Sequence, residues 1–339
     1  MSKTWISNAS KKFTPKNLEE ISLPIKEDLI KVEEVIQSHL KSTVGFVTSI
    51  SEYVIRNGGK RIRPVLCLFS SRLAGASGQK VFDSAAAMEF FHTATLMHDD
   101  VVDNAKLRRG KPSANATWGN HVAVLVGDFF YCQASSLLVG TDNLRIIKRI
   151  TEAMLATTEG EILEISKSND LSTTEEDYLK IIHDKTAVLM SASCEIGGIL
   201  GNVSEAYIQA LAEYGRCLGI AFQLADDILD YISENEKFGK VTGTDLKEGK
   251  LTLPLIVALR HCNDSEKRII KDTLIAETVE QESLKRIISI INQYEGLDYT
   301  VKLAKTYLNR AKESLQIFKP TLEREALLRL TDFVIERNQ

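Results

Sequence analysis

Ile220-Ala221-Phe222-Gln223-Leu224-Ala225-Asp226-Asp227-Ile228-Leu229-Asp230-Tyr231 sets apolar residues at helical spacing and ends on two aspartates one helical turn apart. Read outward, the same periodicity reaches back to Glu205. It returns from Val81 to Met97 and from Ile146 to Ile165. The breaks between these runs are short and rich in Gly, Asn or Ser: Gly75-Ala76-Ser77-Gly78, Gly140-Thr141-Asp142-Asn143 and Gly201-Asn202. Proline, which ends or kinks helices, occurs only at Pro15, Pro24, Pro64, Pro112, Pro254 and Pro320, so Ala114 to Leu253 is free of it. No repeat, low-complexity linker or strand–helix alternation appears. The pattern predicts an all-α fold, with residues 26–339 as one helical domain and residues 1–25 as a poorly ordered N-terminal extension. His121-Val122-Ala123-Val124-Leu125-Val126 is β-branched enough to suit a strand. A lone strand among helices has no partner for its backbone groups, so a buried helix is expected there.

A second aspartate cluster, Asp99-Asp100-Val101-Val102-Asp103, repeats the pattern of Asp226-Asp227-Ile228-Leu229-Asp230. Positions i and i+4 share a helix face, which stacks Asp99 on Asp103 and Asp226 on Asp230. Like charges so placed oppose helix formation by a few tenths of a kcal/mol, roughly, and a bridging cation removes that repulsion. Hard oxygen ligands suit Mg²⁺, which keeps several waters and completes its shell with phosphate oxygens. One such cluster alone reads equally well as a solvated acidic face; two, each following an apolar helical run, point to metal binding. Neither has the alternating ligands and central Gly of an EF-hand.

Cations stand near both clusters. Gly58-Gly59-Lys60-Arg61-Ile62-Arg63-Pro64 places three on a turn leading into a helix, an arrangement that suits a diphosphate. Arg108-Arg109-Gly110-Lys111-Pro112 follows the first cluster, and Gly239-Lys240 and Gly249-Lys250 follow the second. The Gly-Gly-Lys run lacks the GxxxxGK[ST] pattern of a P-loop. Each basic group taken singly reads as surface charge; their company with the acidic clusters favours an anion site. Lys185, Thr186 and Gln223 carry no signal of their own, and His98 reads as a hydrogen-bonding residue rather than a ligand.

The bulk numbers fit this reading. Hydrophobic residues make up 44% and charged residues 26% of the chain, and the net charge of -4 offers no global basic field for nucleic acid. The five cysteines are scattered without a CxxC pair, which argues against a disulfide framework and for a reducing, cytoplasmic setting. The start is rich in Ser and Lys but has no Arg before Glu19 and no apolar core, so a plain N-terminus is expected rather than a targeting segment. No apolar stretch reads as long enough to span a bilayer.

Together these motifs resemble the trans-isoprenyl diphosphate synthases. The similarity runs from about Asn57 to Pro254 and more loosely to the C-terminus, and Phe91-His92-Thr93-Ala94-Thr95-Leu96-Met97-His98-Asp99-Asp100-Val101-Val102-Asp103 is most like the bacterial long-chain members that make octaprenyl-type diphosphates for quinone side chains. The resemblance implies a bundle of long helices around a central cavity, usually dimeric, and a Mg²⁺-dependent condensation of isopentenyl diphosphate with an allylic diphosphate such as the farnesyl or geranylgeranyl compound. It implies that Asp99, Asp103 and Asp226, assisted by Asp100, Asp227 and Asp230, hold several Mg²⁺ ions that clamp the allylic diphosphate. Arg108, Lys185, Thr186, Gln223, Lys240 and Lys250 would contact the same diphosphate, and Lys60, Arg63, His92 and Arg109 would bind isopentenyl diphosphate. Release of an apolar product implies peripheral contact with a membrane. One departure stands out: where many members have Gln, Gly160-Glu161-Ile162-Leu163-Glu164 ends in a second acid, which either alters metal binding or pairs with a neighbour.

If the helix before Asp99 runs down the cavity, Thr95 and Ala94 lie one turn deeper, with Phe91 and Met88 beyond. A turn is about 5.4 Å, close to one isoprene unit. Short-chain members carry an aromatic plug at one of the first-turn positions; both are small here, so growth past the geranylgeranyl length is expected, with Phe91, or Leu137 and Leu138 on a facing helix, as the floor. Rival readings are a class I terpene cyclase, whose second metal motif differs, and a non-catalytic subunit, which would lack one acidic cluster. A short-chain synthase and the catalytic subunit of a heteromeric synthase remain open.

Overall fold

The computed structural model describes residues 18–232, 243–276 and 280–336. Helices dominate, as the sequence predicts. The chain opens with α1 (Leu18–Ser22), α2 (Lys26–His39), α3 (Gly45–Arg56), α4 (Ile62–Leu73) and the 24-residue α5 (Gln79–Val102). A small hairpin, β1 (Leu107–Arg108) and β2 (Lys111–Pro112), precedes α6 (Ala114–Trp118), α7 (Asn120–Val139) and α8 (Leu144–Lys167). Then come α9 (Glu175–Ile182), a π-helical turn (His183–Ala187), α10 (Val188–Leu200) and α11 (Glu205–Ile232). After α12 (Thr244–Lys247) the chain closes with α13 (Leu253–Leu259), α14 (Asp264–Leu274), α15 (Gln281–Gln293), α16 (Gly296–Ser314) and α17 (Leu322–Glu336).

Local chemistry sets many of these boundaries. Asn143 accepts from the amides of Arg145 and Ile146 at the start of α8, and Thr174 with Asp177 and Asn263 with Glu266 form reciprocal capping boxes on α9 and α14. The long helices bury their apolar faces against one another: α5 along α7, α4 against α10, and α11 between α10 and α16. Phe69, Phe90, Phe91, Phe130 and Tyr214 fill the main core. A second core joins α9, α13, α14, α15 and α16 through Tyr178, Ile256, Ile270, Ile287, Ile291 and Ala304.

The structure departs from the sequence reading in three places. Ile21 and Ile25 are buried, and α1 packs on α17, so the helical body reaches back past residue 26; residues 1–17 lie outside the described residues. The segment His121–Val126 is helical as expected but only half buried: Ala123 and Val126 face the core while Val124 and Leu125 are exposed. By length and composition α7 is apolar enough to cross a membrane, which the sequence reading missed, with a mean hydropathy of 1.6 over its best window. Its buried face packs along α5, and Asp128 interrupts it near the middle.

Candidate active site

The hairpin turns on Arg109 and Gly110, both at positive φ (55° and 76°), the backbone of a tight mirror-image turn. It is fastened from below by Tyr53, whose hydroxyl donates to the Pro112 carbonyl at 2.8 Å, and by Ser113 Oγ donating to the Ala105 carbonyl at 2.6 Å. Arg108 is thereby aimed at Asp100, with Nε and Nη2 each 2.6 Å from Oδ1. A cavity opens beside it, lined by Arg61, Glu89, His92, Asp100, Arg108 and Arg109 among others. Desolvation, reinforced by Arg63, Arg109, Arg108 and Arg61, holds the His92 imidazole neutral. Desolvation also brings Arg63 down to about 10, and its Nε is shut from solvent without a hydrogen-bond partner. Lys60 is placed elsewhere: it stands 5.5 Å over the Phe333 ring and lines a separate cavity with Leu18, Leu23 and Leu29.

A second cavity gathers Glu164, Lys185, Thr186, Gln223, Asp227, Asp245 and Lys250. Its wall is the π-helical turn, where the Val188 amide bonds back to the His183 carbonyl. Two glycines let helices press on that turn. A Cβ on Gly160 of α8 would meet Asp184 Cβ at 2.6 Å, and one on Gly219 of α11 would meet Ala187 Cα at 2.5 Å. Lys185 thus reaches Glu161 at 2.8 Å and also bonds Glu164. Thr186 donates to Gln223 Oε1 (3.1 Å), Gln223 donates to Asp227 Oδ1 (2.9 Å), and Tyr178 donates to Asp227 Oδ2 (2.6 Å). Asp230 accepts from the amides of Thr244 and Asp245, each at 3.1 Å, and so anchors α12. Lys250 closes the circuit: it lies 3.8 Å from Asp103, 3.5 Å from Glu164 and 2.7 Å from Glu248. The two aspartate-bearing helix ends therefore address one common set of charges. Glu164 pairs with Lys185 and Lys250. Lys240 lies outside the described residues.

Carboxylates crowd here. Desolvation, with Glu161 and Asp103 nearby, pushes Asp99 up to about 7 against the pull of Lys185 and Arg108. Desolvation likewise raises Asp227 and Asp245. Among the described residues no three His, Cys, Asp or Glu side chains converge tightly enough to hold a metal by themselves. Acidic oxygens spread around a cavity with lysines opposite fit a divalent cation that takes part of its shell from phosphate. The raised Asp99 has a signed consequence. Its folded pKa exceeds the unfolded value, so the metal-free native state holds an extra proton between about pH 4 and about pH 7, and stability falls as pH rises through that window. Metal-free Asp99→Asn should therefore melt increasingly above the parent as pH is raised from about 5 to about 7. Parallel melting curves at both ends would show that Asp99 carries no such strain.

Residues 45–291 match the family model described as polyprenyl synthetase. The chain belongs to the polyprenyl synthetase family. It is a prenyltransferase of the trans-polyprenyl diphosphate synthase class. It is 38% identical to the octaprenyl diphosphate synthase of Escherichia coli (strain K12), over 95% of this chain and all of that one. A decaprenyl diphosphate synthase structure from Rhodobacter capsulatus superposes with a TM-score of 0.91 at 36% identity, covering 95% of this chain and 100% of that one. A polyprenyl synthase from Caulobacter crescentus, crystallised with calcium and isoprenyl diphosphate, gives 0.90 at 38% identity, covering 95% and 98%.

Four residues around these two cavities escaped the sequence reading. Asp245 carries no motif, being a lone acid between Gly-rich turns. Tyr178 reads as an ordinary member of an amphipathic helix, and Glu161 stands in the stretch that ends in Glu164, which gave it no role of its own. Glu89 sits in an apolar run, where a single buried acid was the available signal. His98 bonds the Val124 carbonyl at 3.1 Å and lies 3.4 Å from Asp128, away from the acidic clusters' lysines.

Proposed function

We propose that the synthase is Mg²⁺-dependent and adds isopentenyl diphosphate repeatedly to an allylic primer, farnesyl or geranylgeranyl diphosphate, giving a long-chain all-trans polyprenyl diphosphate for quinone side chains. The observation that carries this reading is that Lys250 and Glu164, linked by ion pairs to Asp103 of the first cluster and to Lys185, line one cavity with Asp227 of the second cluster. Asp99, Asp103 and Asp226, with Asp100, Asp227 and Asp230 beside them, would hold the Mg²⁺ ions. When bound, Mg²⁺ supplies positive charge to the departing diphosphate.

The chain's own residues supply the rest. Lys185, Lys250 and Arg108 exchange their carboxylate partners for oxygens of the allylic diphosphate, with Thr186 and Gln223 beside them, and stabilise the charge that builds as its C–O bond breaks. Arg63, Arg109 and the neutral His92 hold isopentenyl diphosphate; His92 contributes an N–H rather than a charge. The double bond of isopentenyl diphosphate attacks the allylic carbon, and the proton lost from the adduct leaves with the freed diphosphate. The enclosing apolar helices keep water from quenching the cation.

We assign the synthase to a cytoplasmic homodimer that touches a membrane when the product leaves. The exposed apolar stripe Val124, Leu125, Tyr131 and Val139 on α7 supports a covered face there. Mass analysis of products from purified protein, farnesyl diphosphate, isopentenyl diphosphate and Mg²⁺ tests the whole. Products longer than geranylgeranyl diphosphate are expected; termination at that length would reverse the long-chain reading, and no elongation would reverse the reaction.

A further inference from the structure

Glu89 is a buried carboxylate, 4% exposed, on the helix that carries the first aspartate cluster, yet it belongs to neither acidic cluster. Its Oε1 accepts from Arg61 Nη1 at 2.7 Å. The same oxygen stands 3.4 Å from where a Cβ on Gly59 would lie, and Arg109 Nη1 and Nη2 stand 3.0 and 3.3 Å from that point. Carboxylate and guanidinium thus flank a spot left open because residue 59 is glycine. Arg61, held in the left-handed region at φ 50°, is gripped on its other side by Glu33 of α2 at 2.8 Å.

The charges around this cavity are lopsided. Arg108 is committed to Asp100, and Arg61 to Glu33 and Glu89. Arg63 and Arg109 remain to receive an anion, and they repel one another; the opposite charge acting on both is Glu89. A desolvated cation without compensation is costly. A carboxylate beside an anion site has the wrong sign to bind the ligand, so its use lies in the empty state.

We propose that Glu89 is the resident counter-ion of this pocket, a positioning residue that, anchored on Arg61, balances the charge of Arg109 and of the buried Arg63 while no diphosphate is bound and does so again as one departs. The proposal rests on the assignment of the pocket to isopentenyl diphosphate. In each addition the allylic partner loses its diphosphate, so the new product carries the one that arrived with isopentenyl diphosphate. Before the next addition that group must leave the arginine pocket for the lysine-lined one. Competition from Glu89 loosens it for that move.

Thermal unfolding with isopentenyl diphosphate and no metal tests this. Glu89→Gln, which keeps an oxygen for Arg61 but loses the charge, should melt below the parent without ligand. Saturating isopentenyl diphosphate should close more than half of that gap, because the ligand replaces the missing charge. In turnover the variant should show a KM for isopentenyl diphosphate lowered by about tenfold, with a reduced kcat and shorter products. Glu89→Asp, which retains the charge, should stay near the parent in both. A gap that ligand leaves unchanged, an unchanged or raised KM, or an Asp variant as impaired as the Gln variant would overturn the proposal. If Glu89→Gln does not fold alone, refolding with and without isopentenyl diphosphate gives the same reading: recovery with ligand supports it, equal failure overturns it. A parent protein that isopentenyl diphosphate does not stabilise would instead remove the pocket assignment, and the proposal with it.

Discussion

Replacement of Asp99 by Ala should lower turnover by about a thousandfold or more without lowering the stability of the metal-free protein. The two halves of this result have one cause. Asp99 lies among Glu161 and Asp103 in a desolvated setting that lifts it to about 7, so its ionised form is an unfavourable neighbour until a cation arrives. Removing it relieves that repulsion in the empty site and removes a ligand from the loaded one. A structural carboxylate behaves in the opposite way: its loss costs stability and spares chemistry. Steady-state kinetics with farnesyl and isopentenyl diphosphates, together with metal-free melting, separate the cases. Turnover within about tenfold of the parent would end the assignment of this helix terminus to the chemistry.

Thr95→Phe should cut the product to geranylgeranyl length or shorter. On an α-helix, Thr95 lies about 40° around the axis from Asp99 and one turn away, whereas Ala94 lies about 140° around. The burial pattern agrees: Thr95 is half-buried, while Ala94 is 1% exposed and packed in the core. A phenyl ring at Thr95 would project on the side where the growing chain leaves Asp99. Ala94→Phe should also shorten the product, at an added stability cost of about 1–3 kcal/mol from overpacking. Deeper positions are already filled. Phe91 meets the edge of Tyr131 with centroids 5.1 Å apart, and Leu137 and Leu138 are buried. Mass analysis of the products decides; an unchanged length distribution for both variants would mean that the chain grows along another face.

The fold and the aspartate helix ends were legible because they are periodic. The runs Val81–Met97 and Glu205–Tyr231 repeat at helical spacing, and both aspartate clusters interrupt such runs where a solvated face has no reason to be. The pairing of Arg108 with Asp100 was legible only as proximity in sequence. What placed them together was a mirror-image turn at Arg109-Gly110, for which the Gly was the sole cue. Lys185, Thr186, Gln223 and Asp245 were silent to pattern reading because a cavity wall borrows single residues from several helices. Lys60 is less simple: a conspicuous motif residue, it stands over Phe333 and lines a different cavity from His92.

The turn that presents Lys185 and Thr186 contains one residue more than an α-helical turn would. Each extra residue rotates everything beyond it by about 100°, so the stripes of α9 and α10 are out of phase across His183–Ala187. The aim of that lysine is thus a matter of counting backbone units, a dislocation in the helical lattice. Deletion of one residue there would leave the flanking side chains unchanged and still point the ammonium at the wrong wall.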